Sequence, residues 1–104
     1  MTTKPLVALG LARRDVEDAI DHYLAEAGDA VAMRFIDALE RAYRSIAEAP
    51  GTGSPRYAHE LNLPSLRHWR VKRYPFYIFY MEHQDRIDIW RVLHAQRDIP
   101  AWMQ

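Results

Sequence analysis

Two stretches with helical spacing of apolar residues are separated by nothing longer than Gly28-Asp29. From about Leu11, Val16, Ile20, Tyr23 or Leu24, and Ala27 recur at the intervals of one helix face. Val31, Phe35, Ala38, Leu39, Ala42 and Ile46 form a second stripe that stops near Pro50. Glycine ends a helix at little cost because it enters left-handed backbone without a Cβ penalty. Asp29, just after it, is placed to cap the next helix. So short a link forces the two helices to fold back as a hairpin. Asp15, Glu17, Asp18 and Asp21 are expected in the early turns of the first helix, where its positive end favours them.

Around this hairpin the pattern is β-like. Pro5–Leu9 reads as a short strand closed by Gly10. Residues 49–65, APGTGSPRYAHELNLPS, hold three of the six prolines and two of the four glycines, so they connect, with an extended piece at Glu60–Leu63. Leu66–Tyr74 and Phe76–Glu82 are strands divided by Pro75, which cannot donate to a ladder. After a turn at His83–Asp85, Arg86–Ala95 forms the last strand. Strands and helices segregated in this way indicate an α+β fold. The expected architecture is a small antiparallel sheet, made of the N-terminal strand and the C-terminal meander, packed on one face by the helical hairpin. With 104 residues the chain makes a single domain, 1–104, with one core.

The helices cover one sheet face, and the other should alternate to polar. It does not. Phe76, Ile78 and Tyr80 point one way, and Tyr77, Phe79 and Met81 the other. In the last strand Ile87, Ile89 and Leu93 oppose Trp90 and Val92. Two outcomes stand: the sheet curls enough to bury its second face, or that face is offered to another molecule.

Several chemistries are excluded or left without support. The chain has no cysteine, hence no disulfide, thiolate metal site or cysteine nucleophile. His22, His59, His68, His83 and His94 stand at no metal-ligand spacing, so neither metal nor cofactor is expected. Gly51–Pro55 lacks the Lys-Ser/Thr of a phosphate-binding loop, and no serine sits in a nucleophile elbow. No segment resembles a signal peptide or a membrane span, which makes a cytoplasmic location the expectation. The net charge is zero, yet residues 1–50 carry six basic and nine acidic groups, and residues 51–104 eight and five. Arg70, Lys72, Arg73, His94 and Arg97 concentrate positive charge and one imidazole on the β half. Such groups suit phosphate contact or acid–base work on RNA. They suit equally a solvated face, paired with Asp88 and Asp98. The residues alone leave these alternatives open.

The order LARRDVEDAIDHYLAEAG, AMRFIDALERAYRSIAEAPGTGSP, LRHWRVKRYPFYIFYMEHQDRIDIWRVLHAQRDIP resembles the ParE branch of the ParE/RelE toxins of bacterial type II toxin–antitoxin modules. The likeness runs from Leu9 to about Pro100. Its most specific parts are Asp15 with Tyr23, Pro50 with Gly53, and Val92-Leu93-His94-x-x-Arg97-Asp98. It implies a compact toxin neutralised by a cognate antitoxin. RelE-like members cut messenger RNA in the ribosome with basic residues and a C-terminal tyrosine or histidine-tyrosine pair; here Trp102 stands near the tyrosine's place. An indole exchanges no proton near neutral pH. That departure favours the ParE branch, associated with poisoning DNA gyrase by binding rather than with catalysis. The resemblance therefore implies Arg70, Lys72, Arg73, His94 and Arg97 as target contacts, with gyrase as the target and a ribosome-dependent ribonuclease or a non-toxic antitoxin-binding remnant as alternatives. Direct nucleic-acid binding stays open, and no membrane partner is implied. Leu24, Met33, Tyr77 and Phe79, apolar and off or at the margin of the internal stripes, are the expected antitoxin-covered positions.

Overall fold

The computed structural model describes residues 3–97 and 99–103. The elements run β1 (Leu6–Ala8), α1 (Gly10–Ala27), α2 (Asp29–Glu48), a 3-10 turn (Pro50–Thr52), β2 (Leu66–Arg70), β3 (Phe76–Glu82), β4 (Ile87–His94) and α3 (Ile99–Met103). The hairpin forms as the spacing requires. Gly28 takes φ +88°, and its N–H donates to the Tyr23 carbonyl at 3.0 Å, closing α1. Asp29 makes no side-chain cap; it is the first residue of α2, where its charge still suits the dipole. The first turn of α1 holds no acid, because that helix begins at Gly10 and Asp15 falls one turn later.

The four strands are ordered β1-β4-β3-β2. The meander β2-β3-β4 is antiparallel, whereas β1 lies parallel to β4 at the sheet's edge, so the sheet is mixed. β2 stops at Arg70 rather than Tyr74, because Val71 and Tyr74 are tied into the β2–β3 turn. Between β2 and the helices, residues 56–62 form turns instead of an extended piece.

Helices α1 and α2 cover one face. Ala12, Ala19, Phe35, Leu39 and Ile46 pack there on Ile78, Tyr80, Ile87, Ile89 and Val92. Small side chains on the buried faces let the helices approach the sheet and each other. Tyr23, not Leu24, completes the α1 stripe.

The second face is closed by the chain itself, which decides between the two outcomes left open. Phe79, Met81, Leu93 and Leu66 form a second core with Ala58 of the long connection and Ile99 of α3. Tyr57, Leu61, Leu63 and Met103 pack around it. The apolar residues of both sheet faces are thus largely accounted for without a partner. A bulge decides the sidedness of β4. Phe79 pairs with Arg91 and Tyr80 with Ile89, leaving Trp90 as an extra residue. The extra residue reverses the alternation beyond it. Val92 joins Ile87 and Ile89 under the helices, and Leu93 joins Trp90 on the other face, the reverse of the simple alternation.

Candidate functional site

The chain ends of β2 and β4 and the start of β3 lie together at one end of the sheet, as the pairs Arg70–Tyr77 and Phe76–His94 show. The rings of Tyr23, Phe35, Tyr74 and Phe76 pack there, with centroid separations from 5.1 to 6.3 Å. Phe76 and Tyr74 each belong to the wall of a different cleft.

The first cleft, of about 550 Å³, lies between α1, the end of β4 and α3. Asp18, His22, His94, Arg97 and Trp102 line it. His94 stands edge-on to Phe76 at 5.4 Å. Its Nδ1 accepts the Gln96 N–H at 3.1 Å, which places the proton of the neutral ring on Nε2. The Arg97 guanidinium lies 4.1 Å from the centre of the Trp102 ring, within the range of a cation–π contact.

Asp15 anchors the floor of this cleft. Its carboxylate accepts from Arg91 Nε at 2.7 Å, Arg91 Nη2 at 2.8 Å and the Val92 N–H at 3.0 Å. Arg91 Nη1 also donates to the Trp102 carbonyl at 2.7 Å, so one guanidinium joins α1, β4 and α3. The Asp15 partnership raises the Arg91 pKa. Burial, with the Asp15 charge in second place, pushes the Tyr43 phenol up to about 12. The signal was in the sequence: Asp15 sits between Ala12 and Ala19 on the buried side of α1, and a carboxylate turned inward requires a partner.

The second cleft, of about 740 Å³, lies between α2 and the β2–β3 turn. Arg70, Lys72 and Arg73 line one wall, and Arg34 and Arg41 of α2 the other. Arg34 and Arg41 were not anticipated, because the acidic surplus of residues 1–50 hides them. Their seven-residue spacing, two helical turns, is the feature that places them on one side of α2. Arg73 holds φ +71°, a left-handed conformation uncommon for a side chain of this size.

The five anticipated target residues therefore divide, three in one cleft and two in the other. None pairs with a carboxylate among the described residues. Asp88, one of the acids considered as a partner, is held by Arg86 at 3.0 Å and His83 at 3.1 Å. Asp98, the other, lies outside the described residues. Arg70 rests over the Tyr77 ring at 5.8 Å.

The anticipated antitoxin positions also divide. Leu24 and Met33 are 44 % and 56 % exposed. Tyr77 is half-buried beside His68, with ring centroids 4.7 Å apart. Phe79 is fully buried in the second core and has no surface for a partner, which corrects its assignment. The same closure of the second face removes the reason for placing it there.

Tyr80 and Tyr74 are engaged within the fold. The Tyr80 hydroxyl donates to the Pro50 carbonyl at 2.7 Å and accepts the Gly53 N–H at 3.1 Å, which accounts for the Pro50 and Gly53 motif. Burial chiefly raises its pKa. Tyr74 packs on Tyr23 and Phe35. Among the described residues no tyrosine lines the cleft that holds His94.

Among the described residues no helix is long and apolar enough to cross a membrane. Residues 9–99 match the family model for the ParE toxin of the type II toxin-antitoxin system, parDE. No curated protein matches the chain. A solved chain from the chromosomal ParDE TA system of P. aeruginosa has a similar fold, with a TM-score of 0.75 at 19 % identity, covering 90 % of this chain and 98 % of that one. With the helical hairpin, the mixed four-stranded sheet and the family match over residues 9–99, this chain belongs to the ParE toxin family of type II toxin–antitoxin systems.

Proposed function

We propose that the chain inhibits a type II topoisomerase, DNA gyrase, by binding it, and that a cognate antitoxin neutralises it. The observation that carries this reading is a set of basic side chains at one end of the sheet with no ion pair among the described residues: Arg70, Lys72 and Arg73 in one cleft, and Arg97 with the His94 imidazole in the other. Cations without a carboxylate partner among the described residues are available to a target. Proton-transfer chemistry has less support, because among the described residues no tyrosine shares the His94 cleft, and the Trp102 indole that lines it is neither an acid nor a base near neutral pH. Leu24 and Met33, large apolar side chains exposed on the hairpin, are the proposed antitoxin contacts, with Tyr77 at the margin.

A ribosome-dependent ribonuclease is the second reading, favoured by one observation: the His94 imidazole is oriented by Gln96 and stands beside Arg97. Primer extension on messages from induced cells separates the two. Intact messages, together with inhibited supercoiling by purified gyrase, are expected; discrete codon-phased cuts support the ribonuclease instead. Normal growth on induction without antitoxin contradicts both and leaves a non-toxic remnant.

A further inference from the structure

We infer that the cleft between α2 and the β2–β3 turn is a docking groove for the sugar-phosphate backbone of duplex DNA, so that this toxin grips the nucleic acid itself. The inference deepens the topoisomerase reading and takes its biological setting from it. Its basis is an imbalance of charge. The chain is neutral, yet among the described residues Arg34, Arg41, Arg70, Lys72 and Arg73 line this groove against one acid, Asp37. All five cations are exposed, and none forms an ion pair among the described residues. Surface charges of opposite sign usually intersperse, whereas here both walls carry the same sign, which concentrates positive potential between them.

The dimensions and side-chain types favour a phosphate backbone. Arg34 and Arg41, seven residues apart, are separated by about 10 Å along α2. Phosphates along one DNA strand recur every ~3.4 Å of helix axis, so with α2 laid along that axis the pair spans about three steps. Four of the five cations are arginines, whose planar fork matches phosphate oxygens two at a time.

Two other occupants fit less well. A single strand would need free aromatic faces for stacking, but Trp69 and Tyr74 in this groove are packed against the core. An acidic protein segment would ordinarily add an apolar anchor in a pocket, and the same packing withholds one. The left-handed backbone at Arg73 fits this role, since it is conformational strain kept at the turn that forms one wall.

The test is fluorescence anisotropy of the purified full-length chain with a labelled duplex of about two helical turns, ~20 bp. Up to five phosphate contacts, reduced by Asp37, give a log–log salt slope between about −3 and −4.5. Affinity then falls roughly 60- to 500-fold between about 50 and 200 mM salt. Duplexes of unrelated sequence bind alike, because backbone contacts carry no sequence information. Arg41→Gln with Arg73→Gln flattens the slope by about 2, and Arg34→Gln with Lys72→Gln does the same should the first pair fail to fold. Folding is checked by circular dichroism.

Tighter binding of a single strand, equal or tighter binding of poly-glutamate, or an unchanged slope in the folded variants overturns the proposal. No topoisomerase is present, so absent DNA binding with supercoiling still inhibited removes this inference alone. DNA binding without inhibition removes the gyrase reading alone.

Discussion

Asp15 on α1 and Arg91 on β4, 76 positions apart in sequence, form a two-pronged ion pair with contacts of 2.7 and 2.8 Å. Their side chains are only 12 % and 13 % exposed. The pair fixes the first helix to the strand just past the bulge, and through Trp102 it also holds α3 over the second core. Removing Asp15 leaves a largely buried guanidinium without its carboxylate, and the Val92 N–H loses its acceptor. We expect Asp15→Ala to cost about 3 kcal/mol in urea denaturation. A double-mutant cycle with Arg91→Ala should return a large coupling, because the second substitution removes the stranded charge.

Gly53 is required by Tyr80. A Cβ at position 53 would lie 2.8 Å from Tyr80 Cζ and closer still to its hydroxyl. We expect Gly53→Ala to destabilise the fold by about 2 kcal/mol, since either the buried ring or the connection must shift. Tyr80→Phe alone gives up two hydrogen bonds, worth ~1 kcal/mol each. In the Gly53→Ala background the Tyr80→Phe change should cost less, because it removes the atom nearest the new methyl. Thermal melts of the four proteins measure this.

His68 makes stability depend on pH. Burial first, and the Arg56 charge second, hold its imidazole below the ordinary 6.5. The unfolded state therefore binds the proton more readily than the native state between 6.5 and that lowered value. This contribution is complete above about pH 6.5 and is lost as pH falls through the folded-state pKa. His68 Nδ1 is also buried without a partner, between aromatic neighbours Tyr57 and Phe79. We expect His68→Phe to reduce the acid-side slope of stability, measured by denaturant midpoints from about pH 8 to about pH 5.

Leu24 and Met33 should separate antitoxin binding from stability. Both are exposed, so Leu24→Glu and Met33→Glu should change folding stability by less than about 0.5 kcal/mol. Placed against an apolar partner surface, each buried carboxylate should weaken the complex at least tenfold, or about 1.4 kcal/mol. Calorimetric titration with the antitoxin measures it. Unchanged affinity in both variants contradicts the assignment of these positions.

The hairpin was legible in the sequence because Gly28 interrupts two clear helical stripes. The meander was legible because Pro75 and His83–Asp85 punctuate it. Other features depend on distant pairing. One extra residue at Trp90 exchanges the sides of Val92 and Leu93, and nothing local to β4 announces it. The lining of the second face was hidden for a different reason. Tyr57, Ala58, Leu61 and Leu63 lie in turns, where burial leaves no period to read. Phe79 therefore reads as partner surface from the sequence, whereas it is core. At the candidate site, Arg70, Lys72 and Arg73 were visible as a run, but Arg34 and Arg41 meet them only through the packing of α2 beside the β2–β3 turn.

Gyrase supercoiling in the presence of purified toxin tests the central claim most directly, with the wild-type chain compared against Arg70→Gln/Arg73→Gln/Arg97→Gln. The three arginines are exposed and make no ion pair among the described residues, so the variant should fold and still bind antitoxin. We expect wild type to block supercoiling near stoichiometric ratio and the variant to require at least about tenfold more, a loss of ~1.4 kcal/mol in binding. Uninhibited supercoiling with excess wild-type toxin, or equal inhibition by the variant, would contradict the claim that these cations meet the target.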